Sequence, residues 1–350
     1  MRNFLELSDT ELAALLAEWG QPGFRAAQLR RQVYQRLVTD FAAMTDLPQT
    51  LRARLATALR VGTLTLERRQ RSHDGTLKQV YRLADGQLIE AVLMSYDGRR
   101  RTACISTQAG CAFGCVFCAT GQMGFARHLS AAEILEQALL LAQQLARRGE
   151  RLSNVVLMGM GEPFHNYDAS LAAVRRLMSD LGIGARHITI STVGLVPQIR
   201  RFAEEDLQVR LAVSLHAATD EERAALLPVN KRWPLRELMA ACRDYVHRTG
   251  RRITFEWALI RGETDTREQA HALGGLLQGL RCHVNAIPLN ATAGYAGEPA
   301  ETGEAARFVE ILADYGVHAT VRVRRGIDID AGCGQLKAKV AAAEAGADAL

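Results

Sequence analysis

Four of the chain's seven cysteines, Cys104, Cys111, Cys115 and Cys118, stand within the short stretch "CISTQAGCAFGCVFC". The last three form C-x3-C-x2-C on one loop, where Gly110 and Gly114 let the backbone turn closely around whatever the thiolates hold. A structural zinc site usually takes four ligands from two separated pairs. Three soft thiolates in a compact unit suit an iron-sulfur cubane, which normally wants four protein ligands and here would keep one iron open to a substrate or cofactor. Cys104 as a fourth ligand, closing a zinc or cluster site, is the alternative that the residues alone leave open. A further cysteine, Cys333, lies far downstream in "AGCGQ", flanked by glycines and preceded by Arg322, Arg324 and Arg325. Guanidinium groups nearby favour a thiolate, and the glycines let its loop move. An isolated cysteine is otherwise an inert small apolar residue.

These residues need elements to position them. From about residue 102 onward, short apolar runs ("TACIST", "NVVLMGM", "HITIST", "VRLAVSLH", "ITFEWALI", "HVNAIPL", "HATVRVR") alternate with longer stretches of helical spacing. That rhythm predicts an α/β fold, a partial (β/α)6 TIM-like barrel in preference to a doubly wound sheet. Polar or glycine residues recur just after the strands: Gly161-Glu162, Ser191, Ser214-Leu215-His216 and Asn290. In β/α barrels that rim builds the active site, and the cysteine loop follows the first strand onto the same rim. Taken singly, Ser191, Ser214 or His216 is better read as a satisfied turn residue.

Ahead of the barrel, residues 1–72 read as a small helical accessory domain. Ser8 is an N-cap with Glu11 at the capping-box position and Gly20 as a stop. Residues 73–101 alternate around Asp85-Gly86 as a strand-rich connector with a hairpin. Residues 102–336 form the core, and 337–350 an alanine-rich tail.

The blocks "GCAFGCVFCATGQMGF", "VVLMGMGEPFHNYD", "ITISTVGLVP", "VSLHAATDEERAALLPVNKRWP", "NAIPLN" and "RRGIDIDAGCGQL" resemble the RlmN/Cfr family of radical S-adenosylmethionine (radical SAM) rRNA methyltransferases. "FRAAQLRRQVYQ" resembles that family's helical accessory domain. The resemblance implies a 4Fe-4S cluster on Cys111, Cys115 and Cys118, with S-adenosylmethionine held by Gly161, Glu162, Ser191, Ser214, Leu215, His216 and Asn290. It implies that Cys333 carries a methyl group, that a 5'-deoxyadenosyl radical removes hydrogen from that methyl, and that Cys104 resolves the later adduct. Glu90 in "LIEAVLM" matches the proton acceptor. The reaction so implied is methylation of carbon 2 of an adenosine in 23S rRNA, with tRNA a further substrate and flavodoxin or ferredoxin the reductant. Methylation at carbon 8, as in the Cfr branch, and a zinc-stabilised RNA-binding protein using Cys104 are the alternatives.

The bulk numbers agree with an enzyme of ordinary composition. The chain has 350 residues, 48% hydrophobic and 23% charged, which excludes disordered and fibrous classes. No apolar stretch approaches the roughly 18 residues needed to cross a bilayer, and "MRNFLELSDTELAALLAEWG" has no secretory pattern, so a cytoplasmic monomer is expected. In the cytoplasm clustered cysteines bind metal or react more often than they form structural disulfides. The net charge of +5 rests almost wholly on arginine, which suits phosphate but by itself decides nothing about partners. Arg25, Arg30, Arg31 and Arg36 are candidate RNA-backbone contacts or one solvated helix face.

Overall fold

The computed structural model describes residues 1–96 and 100–337. The N-terminal module holds β1 (Arg2–Asn3), α1 (Asp9–Glu18), α2 (Phe24–Arg30), α3 (Gln49–Ala58) and β2 (Leu59–Arg60), with β1 and β2 paired in parallel. Helix α1 starts where its chemistry dictates. The Ser8 hydroxyl accepts the Glu11 N–H and the Glu11 carboxylate accepts the Ser8 N–H, a reciprocal cap that contributes about 1 kcal/mol.

Three antiparallel strands follow, β3 (Thr65–Arg71), β4 (Leu77–Arg82) and β5 (Leu88–Ser95), with the Asp85-Gly86 turn between the last two. They are continuous with the core: β5 pairs antiparallel with β6 (Arg101–Cys104). The segment read from sequence as a connector is thus the antiparallel end of the main sheet, and it begins inside the range assigned to the helical module. Register fixes a useful consequence. Lys78 faces Val92 across β4 and β5, and Val92 faces Cys104 across β5 and β6, so Lys78, Val92, Cys104 and, two residues along β5, Glu90 share one sheet face.

After β6 the chain makes a small hairpin, β7 (Gln108–Gly110) and β8 (Phe125–His128), enclosing the cysteine loop and the short α4 (Ala119–Met123). Crossovers then build the parallel part: α5 (Ala131–Ala146), β9 (Asn154–Leu157), α6 (Tyr167–Ser179), β10 (Ile188–Thr192), α7 (Val196–Phe202) and β11 (Arg210–Ser214). They continue through α8 (Asp220–Leu226), α9 (Leu235–Thr249), β12 (Ile253–Leu259), α10 (Arg267–Leu277), β13 (Cys282–Pro288), α11 (Thr302–Asp314) and β14 (Ala319–Val321). The sheet order is β14-β13-β12-β11-β10-β9-β6-β5-β4-β3, so the sheet stays open. All seven apolar runs form its parallel strands, and side chains such as Val155, Ile190, Leu211, Phe255 and Val284 are fully buried, as expected where helices cover a parallel sheet. The alanine-rich tail beyond Lys337 lies outside the described residues.

The module is tied to the core by buried polar contacts. The Glu136 carboxylate of α5 accepts the N–H groups of Thr63 and Leu64 at 2.8 Å, and a Cβ on Gly62 would meet its Oε1 at 2.2 Å. Arg30 bridges Asp9 and Asp180, Arg36 pairs with Asp46, and Arg25 is held by Gln28. Of the four arginines considered for RNA contact, Arg30 serves the fold by joining the module to α6.

Candidate active site

The C-terminal ends of the parallel strands surround an open cavity of about 990 Å³, counting its solvent-facing space. Cys111, Cys115, Cys118, Gly161, Glu162, Ser191, Ser214, His216, Asn290 and Cys333 all line it. Strands as far apart in the order as β9 and β13 contribute, so the open sheet curves around this space. Leu215 is different. Its side chain is fully buried in the core, and only its backbone takes part, the N–H donating to Glu256 O and the carbonyl accepting from Arg223 Nε.

The cysteine loop is shaped by close backbone approaches. Gly110 has φ +76°, and a Cβ there would stand 2.0 Å from the Gly124 carbonyl oxygen, the acceptor of the Cys111 N–H. Gly121 fits against the Cys115 backbone in the same way, at 2.9 Å. Burial raises all three thiols, Cys111 to about 12, and repulsion from the other loop cysteines adds to the rise at Cys115 and, from Cys118, at Cys111. Neutral thiols are therefore the metal-free state, and three thiolates need a cationic group among them. Among the described residues no three His, Cys, Asp or Glu side chains converge closely enough to hold one ion. Three soft thiolates on one tight loop are a donor set that fits an iron-sulfur cluster with one iron lacking a protein ligand.

Opposite the loop, Glu162 is held for a cation. Its N–H donates to Gln108 Oε1 at 2.8 Å, and its carboxylate accepts the N–H groups of Phe164 (2.9 Å) and Val193 (2.7 Å). Burial nevertheless lifts its carboxyl to about 7. An ammonium group such as that of a methionyl moiety would compensate this charge. His216 sits at φ +60°, with Nδ1 accepting the Ala258 N–H, which places the ring proton on Nε2. Burial and the nearby Arg223 lower its pKa to about 3, so the imidazole is neutral. Asn290 donates from Nδ2 to the Cys333 carbonyl, while its buried Oδ1 has no partner and is free to accept from a ligand.

Cys333 borders a second cavity of about 510 Å³, again counting solvent-facing space. Cys104 lines this one and does not line the first, so the chain's two non-loop thiols of interest meet here, with Arg322 common to both cavities. Burial pushes the Cys104 thiol up to about 12, and the neighbouring Cys333 adds to the rise. Glu90 lines neither cavity. It is one step along β5 from the cavity residue Val92, buried, with Oε1 3.8 Å from Lys78 Nζ and Oε2 accepting the Lys337 N–H. Burial raises its pKa against the pull of Lys78.

The Cys333 loop is stitched to the cluster loop: the Ala119 N–H donates to Gly334 O at 2.7 Å and the Thr120 hydroxyl to Leu336 O at 2.6 Å. Residues 105–273 match the family described as "Radical SAM superfamily", and residues 2–61 match "Ribosomal RNA large subunit methyltransferase N-terminal domain". The chain is 54% identical over 341 residues to "Dual-specificity RNA methyltransferase RlmN 1" of Myxococcus xanthus, covering 97% of this chain and 95% of that protein. It belongs to the RlmN family of radical SAM RNA methyltransferases.

Another RlmN relative, the probable RlmN 2 of Opitutus terrae, is 50% identical over 370 residues, covering 95% of this chain and 86% of the relative. The crystal structure of a radical SAM methyltransferase from Sphaerobacter thermophilus superposes with a TM-score of 0.93 at 49% identity, covering 97% of this chain and 100% of that one. Radical SAM membership implies a 4Fe-4S cluster and S-adenosylmethionine. The RlmN site also depends on residues with no chemical signature in sequence. Gln108 joins the cluster hairpin to Glu162 and donates to the Nδ1 atoms of His128 and His165 at 3.0 and 3.1 Å. Arg223, wholly buried, donates to Leu215 O, Val193 O, Ser214 O and Asn230 Oδ1, knitting the loops after β10 and β11. Glu256 lines the first cavity beside Asn285 and Arg322.

Proposed function

We propose that this chain methylates carbon 2 of an adenosine in 23S rRNA, and also in tRNA, by way of a methyl group carried on Cys333. The observation that carries this reading is that Cys333 alone among the cysteines lines both cavities, facing the three-cysteine loop in one and Cys104 in the other. The helical module ahead of β3 acts as an RNA-contacting accessory domain, β3 to β5 as a sheet extension and 102–336 as the catalytic core. The enzyme works in the cytoplasm as a monomer with a flavodoxin- or ferredoxin-type reductant; among the described residues no helix is long and apolar enough to cross a membrane.

Cys111, Cys115 and Cys118 hold the cluster. Glu162 and the Gly161 backbone take the methionyl ammonium, and Ser191, Ser214, the Leu215 backbone, His216 and Asn290 meet the ribose and adenine edges. Bound there, the cluster and S-adenosylmethionine would supply a methyl group and a hydrogen-abstracting radical. Carbon 2 of adenine is electron-poor and no nucleophile, which is why the carbon must arrive on sulfur. Cys333 gives up its proton to become the methyl acceptor, and Arg322 lines both cavities beside it. Once the carbon bridges Cys333 Sγ and the base, the proton on carbon 2 leaves toward Glu90, and the unpaired electron that radical addition puts on the ring would return to the redox group held by the three loop cysteines. Its raised pKa makes Glu90 a better acceptor than an exposed carboxylate. The Cys104 thiolate then attacks Cys333 Sγ. The sulfur-sulfur bond forms, the carbon-sulfur bond breaks, and its electron pair takes up a proton, balanced by the one the Cys104 thiol gives up, to complete the methyl group on the base. The reductant must return two electrons to the Cys104–Cys333 disulfide before the next cycle.

The test is anaerobic expression followed by mass spectrometry of Cys333 and nucleoside analysis of treated RNA. A methyl on Cys333 and 2-methyladenosine in RNA are expected. Cys333→Ala keeps iron and sulfide but yields no product, whereas Cys104→Ala keeps methyl-Cys333 and accumulates a covalent protein-RNA conjugate. Formation of 8-methyladenosine alone, or loss of the cluster in Cys333→Ala, would overturn the assignment.

A further inference from the structure

The second cavity has a mouth as well as a floor. Cys104 and Cys333 form the floor; Tyr96, at the end of β5, and the segment Val323–Arg325 form the rim, where Val323 is 73% exposed. This rim is aromatic and strongly basic. The Arg325 guanidinium lies 4.6 Å from the Tyr96 ring centroid and that of Arg100 lies 3.5 Å away. Arg325 Nε is buried without a hydrogen-bond acceptor. Arg324 is exposed and, among the described residues, has no carboxylate partner. By contrast Arg30 and Arg36 of the N-terminal module are held in ion pairs.

We propose that the second cavity is the receiving site for the target nucleotide, its purine stacking on Tyr96 and its flanking phosphates held by Arg324 and Arg325. The proposal rests on the reading that Cys333 delivers carbon to an RNA base. A base can reach a thiol buried beneath a protein surface only after leaving its own stack, and an aromatic ring at the entrance replaces part of the lost stacking. Tyr96 is the aromatic side chain lining this cavity. Phosphates on either side of an extruded base must remain near the rim, and planar guanidinium forks with no carboxylate partner among the described residues suit them. Arg100 and Arg325 lie over the Tyr96 ring, so the base takes the ring as these cations turn outward to phosphate. Arg322 sits deeper, shared by both cavities and balanced by Glu256, so it belongs to the thiols and not to the RNA backbone.

The experiment separates loading of Cys333 from delivery to RNA. Tyr96→Leu, Tyr96→Phe, Arg324→Gln and Arg325→Gln are purified anaerobically and checked by mass spectrometry for methyl-Cys333, which needs no RNA. Each is then mixed with protein-free 23S rRNA transcript in a single-turnover transfer, with affinity measured across salt concentration. Methyl-Cys333 should stay at the wild-type level. Tyr96→Leu should weaken RNA binding and transfer by roughly 5- to 150-fold, the range for one lost base-aromatic stack, and Tyr96→Phe should restore both. Each arginine variant should lower the slope of log affinity against log salt by about 0.7 to 0.9, one phosphate's share for single-stranded or duplex backbone. Wild-type transfer and affinity in Tyr96→Leu, failure of Tyr96→Phe to rescue, or unchanged salt slopes in both arginine variants would overturn the proposal. If Tyr96→Leu does not fold, the arginine slopes decide it alone. A wild-type enzyme that carries methyl-Cys333 yet transfers nothing to RNA would instead refute the functional reading itself.

Discussion

Gly161 offers a sharp test of how the cofactor pocket is built. Its φ is +98°, a conformation that L side chains rarely adopt, and a Cβ there would lie 2.5 Å from Gln108 Cβ and 2.8 Å from Gln108 N. Neither neighbour is the far end of a flexible side chain, so Gly161→Ala must move backbone. The left-handed strain costs about 1–2 kcal/mol and the overpacking about 1–3 kcal/mol. The two sum to about 2–5 kcal/mol, and because one backbone shift relieves part of both, the expected loss lies in the lower part of that range, before any effect on the Gln108–Glu162 hydrogen bond. That shift separates the cluster hairpin from Glu162, so cofactor binding should fall with stability. The assay is urea unfolding followed by circular dichroism, with iron and sulfide content and equilibrium dialysis of S-adenosylmethionine on the same preparations. Gly275→Ala is the control: it lies exposed in α10 with nothing within 4 Å of the added carbon, and should gain about 0.5–1 kcal/mol. A Gly161→Ala protein with wild-type urea midpoint and wild-type binding would refute the reasoning.

Two further outcomes follow from buried charge. Arg223→Met leaves four oxygen acceptors without their donor and should destabilise the fold by about 3–5 kcal/mol, read as a lowered thermal midpoint together with weaker S-adenosylmethionine binding; an unchanged midpoint would show that water satisfies those carbonyls. Glu162 titrates in the folded chain near 7 against a usual value of 4.5. The folded state therefore holds a proton that the unfolded chain has released between those values. Its stabilising contribution is complete below about 4.5 and is lost as pH rises through 7, a change of about 3 kcal/mol by the linkage constant. Cofactor-free wild-type protein should lose urea resistance from pH 5 to pH 7.5 more steeply than Glu162→Gln, and parallel curves would contradict the assignment of that proton.

The parallel strands were readable because apolar runs such as "NVVL" and "ITIST" are buried on one face, half-buried on the other and bounded by polar rim residues. The Ser8 cap and the Asp85-Gly86 turn were readable because their signals are complete within a few residues. What escaped is what depends on partners distant in sequence. Alternation in "LKQVYR" and "LIEAVLM" marks strands but not which sheet they join, so the antiparallel extension looked like a connector. Strand period two explains Leu215: with Ser214 and His216 turned to the cavity, the residue between them points into the core. Arg30 meets Asp180 across 150 positions, a pairing that no local pattern announces. Gln108 is unremarkable in "STQAGC" because its importance lies in the two distant segments it joins, the end of β8 and the loop between β9 and α6.

The first cysteine of the opening stretch stays apart from the other three for a reason of rigidity. Cys104 ends β6, paired on one side with Val92 and on the other with Val156, so its side chain is committed to the sheet face that also carries Glu90. Cys111, Cys115 and Cys118 come only after the chain has turned through β7 and the left-handed Gly110. A thiol on a central strand cannot follow a loop around a cluster, and a loop cysteine cannot be fixed against a strand carboxylate. Under the proposed chemistry both fixed stations are needed, one to load carbon and one to release it. Cys333, between glycines on a loop bonded to α4 and to Asn290, borders both cavities at once and needs no long excursion to serve them. Lengthening that loop by one residue should therefore leave the cluster intact but uncouple methyl loading from disulfide formation.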